Sequence, residues 1–104
     1  MTVDTQLVKI NNSIVIYVPN TFTPNNDGKN DFLRPFMIGI KQLNFFRIFN
    51  RWGELIYEGR DPKTGWDGRF KGEAIATQTL VWMLEGIGVD NETHKAKGTS
   101  ILLR

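Results

Sequence analysis

Turn residues interrupt this chain so often and so evenly that helices of ordinary length have nowhere to form. Asn25-Asn26-Asp27-Gly28, Asn50-Arg51-Trp52-Gly53, Gly59-Arg60-Asp61-Pro62, Gly65-Trp66-Asp67-Gly68, Lys71-Gly72 and Lys97-Gly98 each break the pattern. Glycine supplies a positive φ without steric cost, and Asn or Asp closes a turn with its own side chain. The breaks leave segments of about 5–10 residues, the length of strands. Residues 14–18 (IVIYV) form a β-branched run that Pro19 ends, since proline cannot donate to a ladder. Residues 43–50 and 54–58 flank Arg51-Trp52-Gly53, a short connection with glycine where a hairpin bulge needs it. Leu80, Trp82 and Leu84 alternate with Val81, Met83 and Glu85 at period two. Thr99-Ser100-Ile101-Leu102-Leu103 supplies a closing strand.

The best helical competitor is residues 32–51, where Phe36, Ile40 and Leu43 share a face. Pro35 and Gly39 interrupt it, and Phe45, Phe46, Ile48 and Phe49 would wrap apolar surface right round an exposed helix. The expectation is therefore all-β: an immunoglobulin-like antiparallel β-sandwich of about seven strands, in which stacking two sheets buries one face of each. The material for a core is present, with 40% hydrophobic residues including 7 Phe, 3 Trp and 2 Tyr. One buried indole removes roughly 150–250 Å² from water, about 4–6 kcal/mol as an upper bound. That scale predicts Trp82 in the core and Trp52 and Trp66 as plugs at the ends of the sandwich. Residues 1–12 carry the least structural commitment and read as a linker or cloning remnant, leaving 13–104 as the domain.

Composition excludes several kinds of chemistry. With no Cys there is no disulfide, thiolate site or thiol nucleophile, and a single His removes His-pair metal sites. Thirteen Lys+Arg against eleven Asp+Glu give +2 without a long basic run, which is not the charge profile of a nucleic-acid binder. The opening residues lack the basic start and apolar stretch of a signal peptide, and no run of 18 apolar residues suggests a membrane span. His94, in Asp90-Asn91-Glu92-Thr93-His94-Lys95, reads as a solvated loop or strand edge, and Asp61 and Asp67 as turn residues. A catalytic role is not expected. Asn11-Asn12-Ser13 and Asn91-Glu92-Thr93 match the glycosylation sequon by composition alone.

One segment, Pro24-Asn25-Asn26-Asp27-Gly28-Lys29-Asn30-Asp31, is dense in hard oxygen ligands. With Gly28 aligned to the glycine of an EF-hand loop, Asn25, Asp27, the Lys29 carbonyl and Asp31 fall at ligand positions. Thr23 and Arg34 then occupy the first and twelfth positions, where carboxylates are needed. A weak Ca²⁺ site is the most this could make, and a turn held by Asn/Asp side-chain bonds is the simpler reading.

These landmarks together resemble the gliding-motility-associated C-terminal domain, the type B sorting domain of the Bacteroidetes type IX secretion system. The matching stretches are residues 18–31 (VPNTFTPNNDGKND), 48–57 (IFNRWGELIY), Gly65-Trp66-Asp67-Gly68, Gly72, Leu80-Val81-Trp82 and residues 97–104. Two positions depart: Asn26 stands where the family has Gly, and Ala76-Thr77-Gln78 replaces a Pro-x-Gly. The resemblance implies a non-enzymatic secretion signal that directs an N-terminally fused cargo through the type IX outer-membrane translocon. It also implies a dedicated outer-membrane partner and delivery to the cell surface or medium. It assigns no recognition residues. Arg51, Lys97 and Arg104 are candidates because charges beside turns or near the end of the chain are exposed and can steer docking. The competing expectation is a carbohydrate- or Ca²⁺-assisted adhesion module, which requires Trp52 and Trp66 exposed along one face. A hydrolase would instead require His94 beside a carboxylate and an exposed hydroxyl.

Overall fold

The computed structural model describes residues 5–11, 14–24 and 31–103. Its elements are ten strands: β1 (Thr5–Asn11), β2 (Ile14–Pro19), β3 (Thr21–Phe22), β4 (Phe36–Ile38), β5 (Ile40–Phe49), β6 (Leu55–Gly59), β7 (Arg69–Phe70), β8 (Glu73–Ala74), β9 (Gln78–Gly88) and β10 (Thr93–Leu102). β3, β7 and β8 are only two residues long and β1 falls in the stretch expected as linker, so the described residues hold more strands than the about seven the turn spacing predicts. No helix occurs among the described residues, and residues 32–51 run as β4, a Gly39 kink at φ +81° and β5. Part of the stretch expected as linker is strand. The backbone of β1 pairs antiparallel along β2 from Thr5↔Pro19 to Asn11↔Ile14, extending the smaller sheet by one strand.

Two sheets form the sandwich. One has the order β1-β2-β4 and the other β3-β10-β9-β5-β6, while β7 and β8 make a separate small hairpin. Pairing is antiparallel except between β3 and β10, where Thr21 and Phe22 lie parallel to Ile101 and Leu102. The exception follows from the short β2–β3 connection, which carries the chain from one sheet to the edge of the other. Ser100 Oγ donates to the Pro19 carbonyl at 2.6 Å and Ile101 N–H to the Asn20 carbonyl at 2.7 Å, fastening that crossing.

The inner faces follow from period-two alternation. β2 buries Ile14, Ile16 and Val18, and β9 buries Leu80, Trp82 and Leu84 while Val81 and Met83 face outward. Phe46 and Ile48 of β5 and Leu102 of β10 complete the contact between layers. Phe46 lies 6.3 Å from the Trp82 ring and 6.4 Å from Tyr57, within the range of favourable aromatic pairs. Glycine is required at one point of closest approach: a Cβ on Gly86 would lie 2.9 Å from Ile40 Cγ2 and 3.0 Å from the Gln42 carbonyl.

Trp66 closes one end of this core. Its backbone forms an isolated bridge with Leu33, N–H to carbonyl at 2.9 Å in both directions. Its indole packs 5.6 Å from Phe22 and donates Nε1–H to the Arg69 carbonyl at 2.8 Å. It is the plug the sequence predicts. Trp52 is not: it is 73% exposed. It sits in the β5–β6 loop beyond the last strand pair, whereas Phe22 and Trp66 pack against each other inside.

Candidate recognition surface

The β5–β6 hairpin is built around one buried polar side chain. Asn50 is 7% exposed, and its Oδ1 accepts from both Trp52 N–H and Glu54 N–H at 2.9 Å. Its Nδ2 donates to Glu54 Oε1 at 3.0 Å. The backbones of Asn50 and Glu54 also pair, and Gly53, at φ +83°, donates its N–H to the Asn50 carbonyl at 3.0 Å. Three residues, Arg51, Trp52 and Gly53, therefore form a loop in one set shape. The Arg51 guanidinium lies 4.5 Å over the Trp52 ring, so the exposed indole and the cation act as one unit.

Strand register places an apolar row next to this tip. Phe49 pairs with Leu55 on β6 and with Val81 on β9, and Val81 pairs with Thr99 on β10. The next row holds Arg47, Met83 and Lys97. Leu55, Val81 and Met83 are all exposed on this outer face. Arg47 is ion-paired to Glu58 at 2.5 Å and Lys95 lies 3.8 Å from Glu85. Arg51 and Lys97 have no carboxylate within salt-bridge distance among the described residues. Beside Met83 and Phe45 the face dips into a shallow groove of about 380 Å³ bordered by Lys95 and Lys97.

Of the recognition candidates, Arg51 and Lys97 are exposed and bracket that row, one at the tip and one on the face. Arg104 lies outside the described residues; Leu103 before it is exposed and follows the end of β10 paired with the first residue of β9. The sequence places Arg51 among the recognition candidates and Trp52 as a plug, with an exposed Trp52 only in the competing adhesion reading. The available signal was its place at the tip of a three-residue loop, which outweighs the general preference of indoles for burial.

The remaining candidates separate. Asn25, Asp27 and Lys29 of the expected Ca²⁺ loop lie outside the described residues, and Asp31 borders a cleft of about 640 Å³ between β2 and residues 32–36. Arg34, at the twelfth loop position, donates Nη1–H to the Lys63 carbonyl at 2.8 Å. No group of three or more metal-ligating side chains occurs among the described residues. Among the described residues that line the cleft the only carboxylate is Asp31, beside Arg34 and Lys63.

His94 is not a solvated edge residue. Its side chain is about nine-tenths buried, with Nε2 at 3.0 and 3.1 Å from the two Asp90 carboxylate oxygens. The Glu92 N–H bonded to Asp90, and then His94, hold the Asp90 carboxyl below its ordinary range. This pair locks the β9–β10 turn, in which Asn91 sits at φ +65°. Asp61 and Asp67 are turn residues as expected, accepting from Lys63 N–H at 2.9 Å and Arg69 N–H at 3.1 Å. Burial first, then the Asp61 and Asp67 charges, push the nearby Tyr57 phenol up. With Trp66 buried and only Trp52 exposed, the two-indole face required of a carbohydrate platform does not form.

No curated protein and no solved structure matches the chain. The CHU_C type IX secretion signal domain matches residues 16–103, from β2 through both sheets to the end of β10. Because that match spans nearly every element of the sandwich, including the Asn50 hairpin and the Trp66 plug, the chain belongs to the type IX secretion signal domain family.

Proposed function

We propose that this domain is the address by which a cargo fused to its N-terminal side is recognised, as a folded body, by the type IX translocon and a dedicated outer-membrane partner, and delivered to the cell surface or medium. The observation that carries the reading is the family match over residues 16–103. The physical support is the division of labour within the fold. The inward-facing residues of β2, β5, β9 and β10 are committed to the core, so what distinguishes this molecule to another protein is its outward contour. A recognition step of this kind needs rigid, exposed features and no reacting groups.

The test is a fusion of an inner-membrane export signal, a fluorescent protein that folds in the periplasm and the full 104-residue chain, expressed in a type-IX-competent bacterium. Fluorescence on cells or in medium, lost in a strain without the translocon, is the expected result. Retention in the periplasm of the competent strain refutes the assignment.

A further inference from the structure

Resting on that sorting role, we propose that Trp52 and Arg51, with the adjoining Phe49–Leu55–Val81 row, are the docking surface for an outer-membrane partner protein, which receives them in an apolar pocket bordered by carboxylates. An indole is the side chain with most to gain from leaving water, roughly 150–250 Å² of surface, yet Trp52 is 73% exposed. The exposure is not that of a loose loop. Asn50 spends a buried side chain, two backbone acceptor bonds and a bond to Glu54 on holding the tip, and Gly53 supplies the positive φ that closes it. Preorganised aromatic side chains with an adjacent arginine are the composition of binding hot spots, because little order remains to be imposed on association.

The charge around the tip identifies the partner. Arg51 and Lys97 bracket the apolar row and neither is neutralised by a carboxylate among the described residues, whereas Arg47, deeper in the same face, is paired to Glu58. Two cations without a carboxylate partner among the described residues, around an indole and an aliphatic row, are complementary to a hydrophobic pocket with an acidic rim. Two other occupants fit less well. A glycan stacks on an open indole face, and one face of Trp52 is covered by the Arg51 guanidinium at 4.5 Å. A lipid surface is bound by several basic and aromatic side chains along one amphipathic element, whereas here Arg51 and Lys97 stand on different elements and Trp52 is the one exposed indole.

The proposal is tested in the secretion fusion with Trp52→Ala, Arg51→Glu and, as a control at the opposite end of β9, Val89→Ala. An aromatic photo-crosslinking amino acid, which keeps a ring at the tip, is placed at position 52 or 89. We expect Trp52→Ala and Arg51→Glu to reduce export about tenfold or more at unchanged melting temperature, and Val89→Ala to export normally. The crosslinker at position 52, and not at 89, should trap one outer-membrane protein. Replacing a carboxylate of that protein near the crosslink by lysine should restore export of Arg51→Glu. Normal export of both variants overturns the proposal, as does a position-52 crosslink confined to the cargo. Trp52-dependent binding of the purified chain to phosphatidylethanolamine–phosphatidylglycerol vesicles or to a glycan array, without the protein crosslink, also overturns it. Retention of the wild-type fusion refutes the sorting role itself, a failure seen before any variant is compared.

Discussion

Replacing Asn50 by alanine tests whether the β5–β6 tip is held by its side chain or merely by chain connectivity. The substitution removes acceptors from Trp52 N–H and Glu54 N–H and a donor to Glu54 Oε1, all at 2.9–3.0 Å. A hydrogen bond lost from a folded protein costs about 1 kcal/mol net, and a donor left without a partner away from water costs about 1–3 kcal/mol. Both backbone donors belong to exposed residues, so water replaces part of the loss, and the bond to the exposed Glu54 carboxylate adds little. The sum is about 2–3 kcal/mol, a large share of the 5–15 kcal/mol typical of a domain. At about 4 °C per kcal/mol for a chain of this length, the melting temperature should fall by roughly 8–12 °C. Asn50→Asp keeps both acceptors and loses only the donor, while placing a second carboxylate beside Glu54, so it should lose about half as much. Urea denaturation of the three proteins, with melting curves alongside, gives the comparison. If Asn50→Ala costs less than about 0.5 kcal/mol, the loop amides are satisfied by solvent and the preorganised tip is wrong.

Three further outcomes follow from the same structure. Trp82 Nε1–H is buried without an acceptor among the described residues, so Trp82→Phe trades lost volume against removal of an unpaired donor and should cost under about 1.5 kcal/mol in urea denaturation, whereas Trp82→Ala should cost about 3–5 kcal/mol. Two titrations bound the stable pH range. The lowered carboxyl of Asp90 contributes stability that is fully present above its unfolded value near about pH 4 and is lost as pH falls through the lower folded value. The raised Tyr57 phenol contributes stability present below about pH 10 and lost as pH rises through its higher folded value. Melting curves against pH should therefore show Asp90→Asn converging on wild type only below about pH 4, and Tyr57→Phe losing part of the alkaline fall above about pH 10. For the loop of Asn25, Asp27, Lys29 and Asp31, with Thr23 and Arg34 at the outer ligand positions, calorimetric titration with Ca²⁺ should give no heat and a chelator should leave the melting temperature unchanged; a chelator-sensitive melt would reinstate the cation site.

The extended, two-layer character of the chain is legible in the sequence, because it depends on local rules. Turn residues every few positions limit segment length, and the alternation from Leu80 to Glu85 assigns inward and outward faces without knowledge of the partner strand. Trp82 and the three-residue connection at Arg51-Trp52-Gly53 were readable on the same basis. Burial near the strand ends was not local. Trp52 and Trp66 both stand beside turns with glycine in neighbouring positions, and the general gain from burying an indole applies equally to each. Which one enters the core depends on Leu33, distant in sequence, bridging to Trp66, and on Phe22 arriving at the sheet edge to pack against it. His94 and Asp90 show the same limit, since their contact depends on the turn that brings positions four apart face to face.

The sequence alone determined the element type, the repeat of inward and outward positions and the absence of cysteine and histidine-pair chemistry, since these depend on residue identity and near neighbours. The tertiary structure decided which indole closes the sandwich and which is offered to solvent, and which cations on the face beside it have no carboxylate partner among the described residues. Those outcomes depend on strand order and register, through which β3, β10, β9, β5 and β6 bring residues from Thr21 to Leu102 onto one sheet. Phe22 and Trp66 meet inside the sandwich, whereas the β5–β6 loop carries Trp52 beyond the last strand pair and leaves it in solvent.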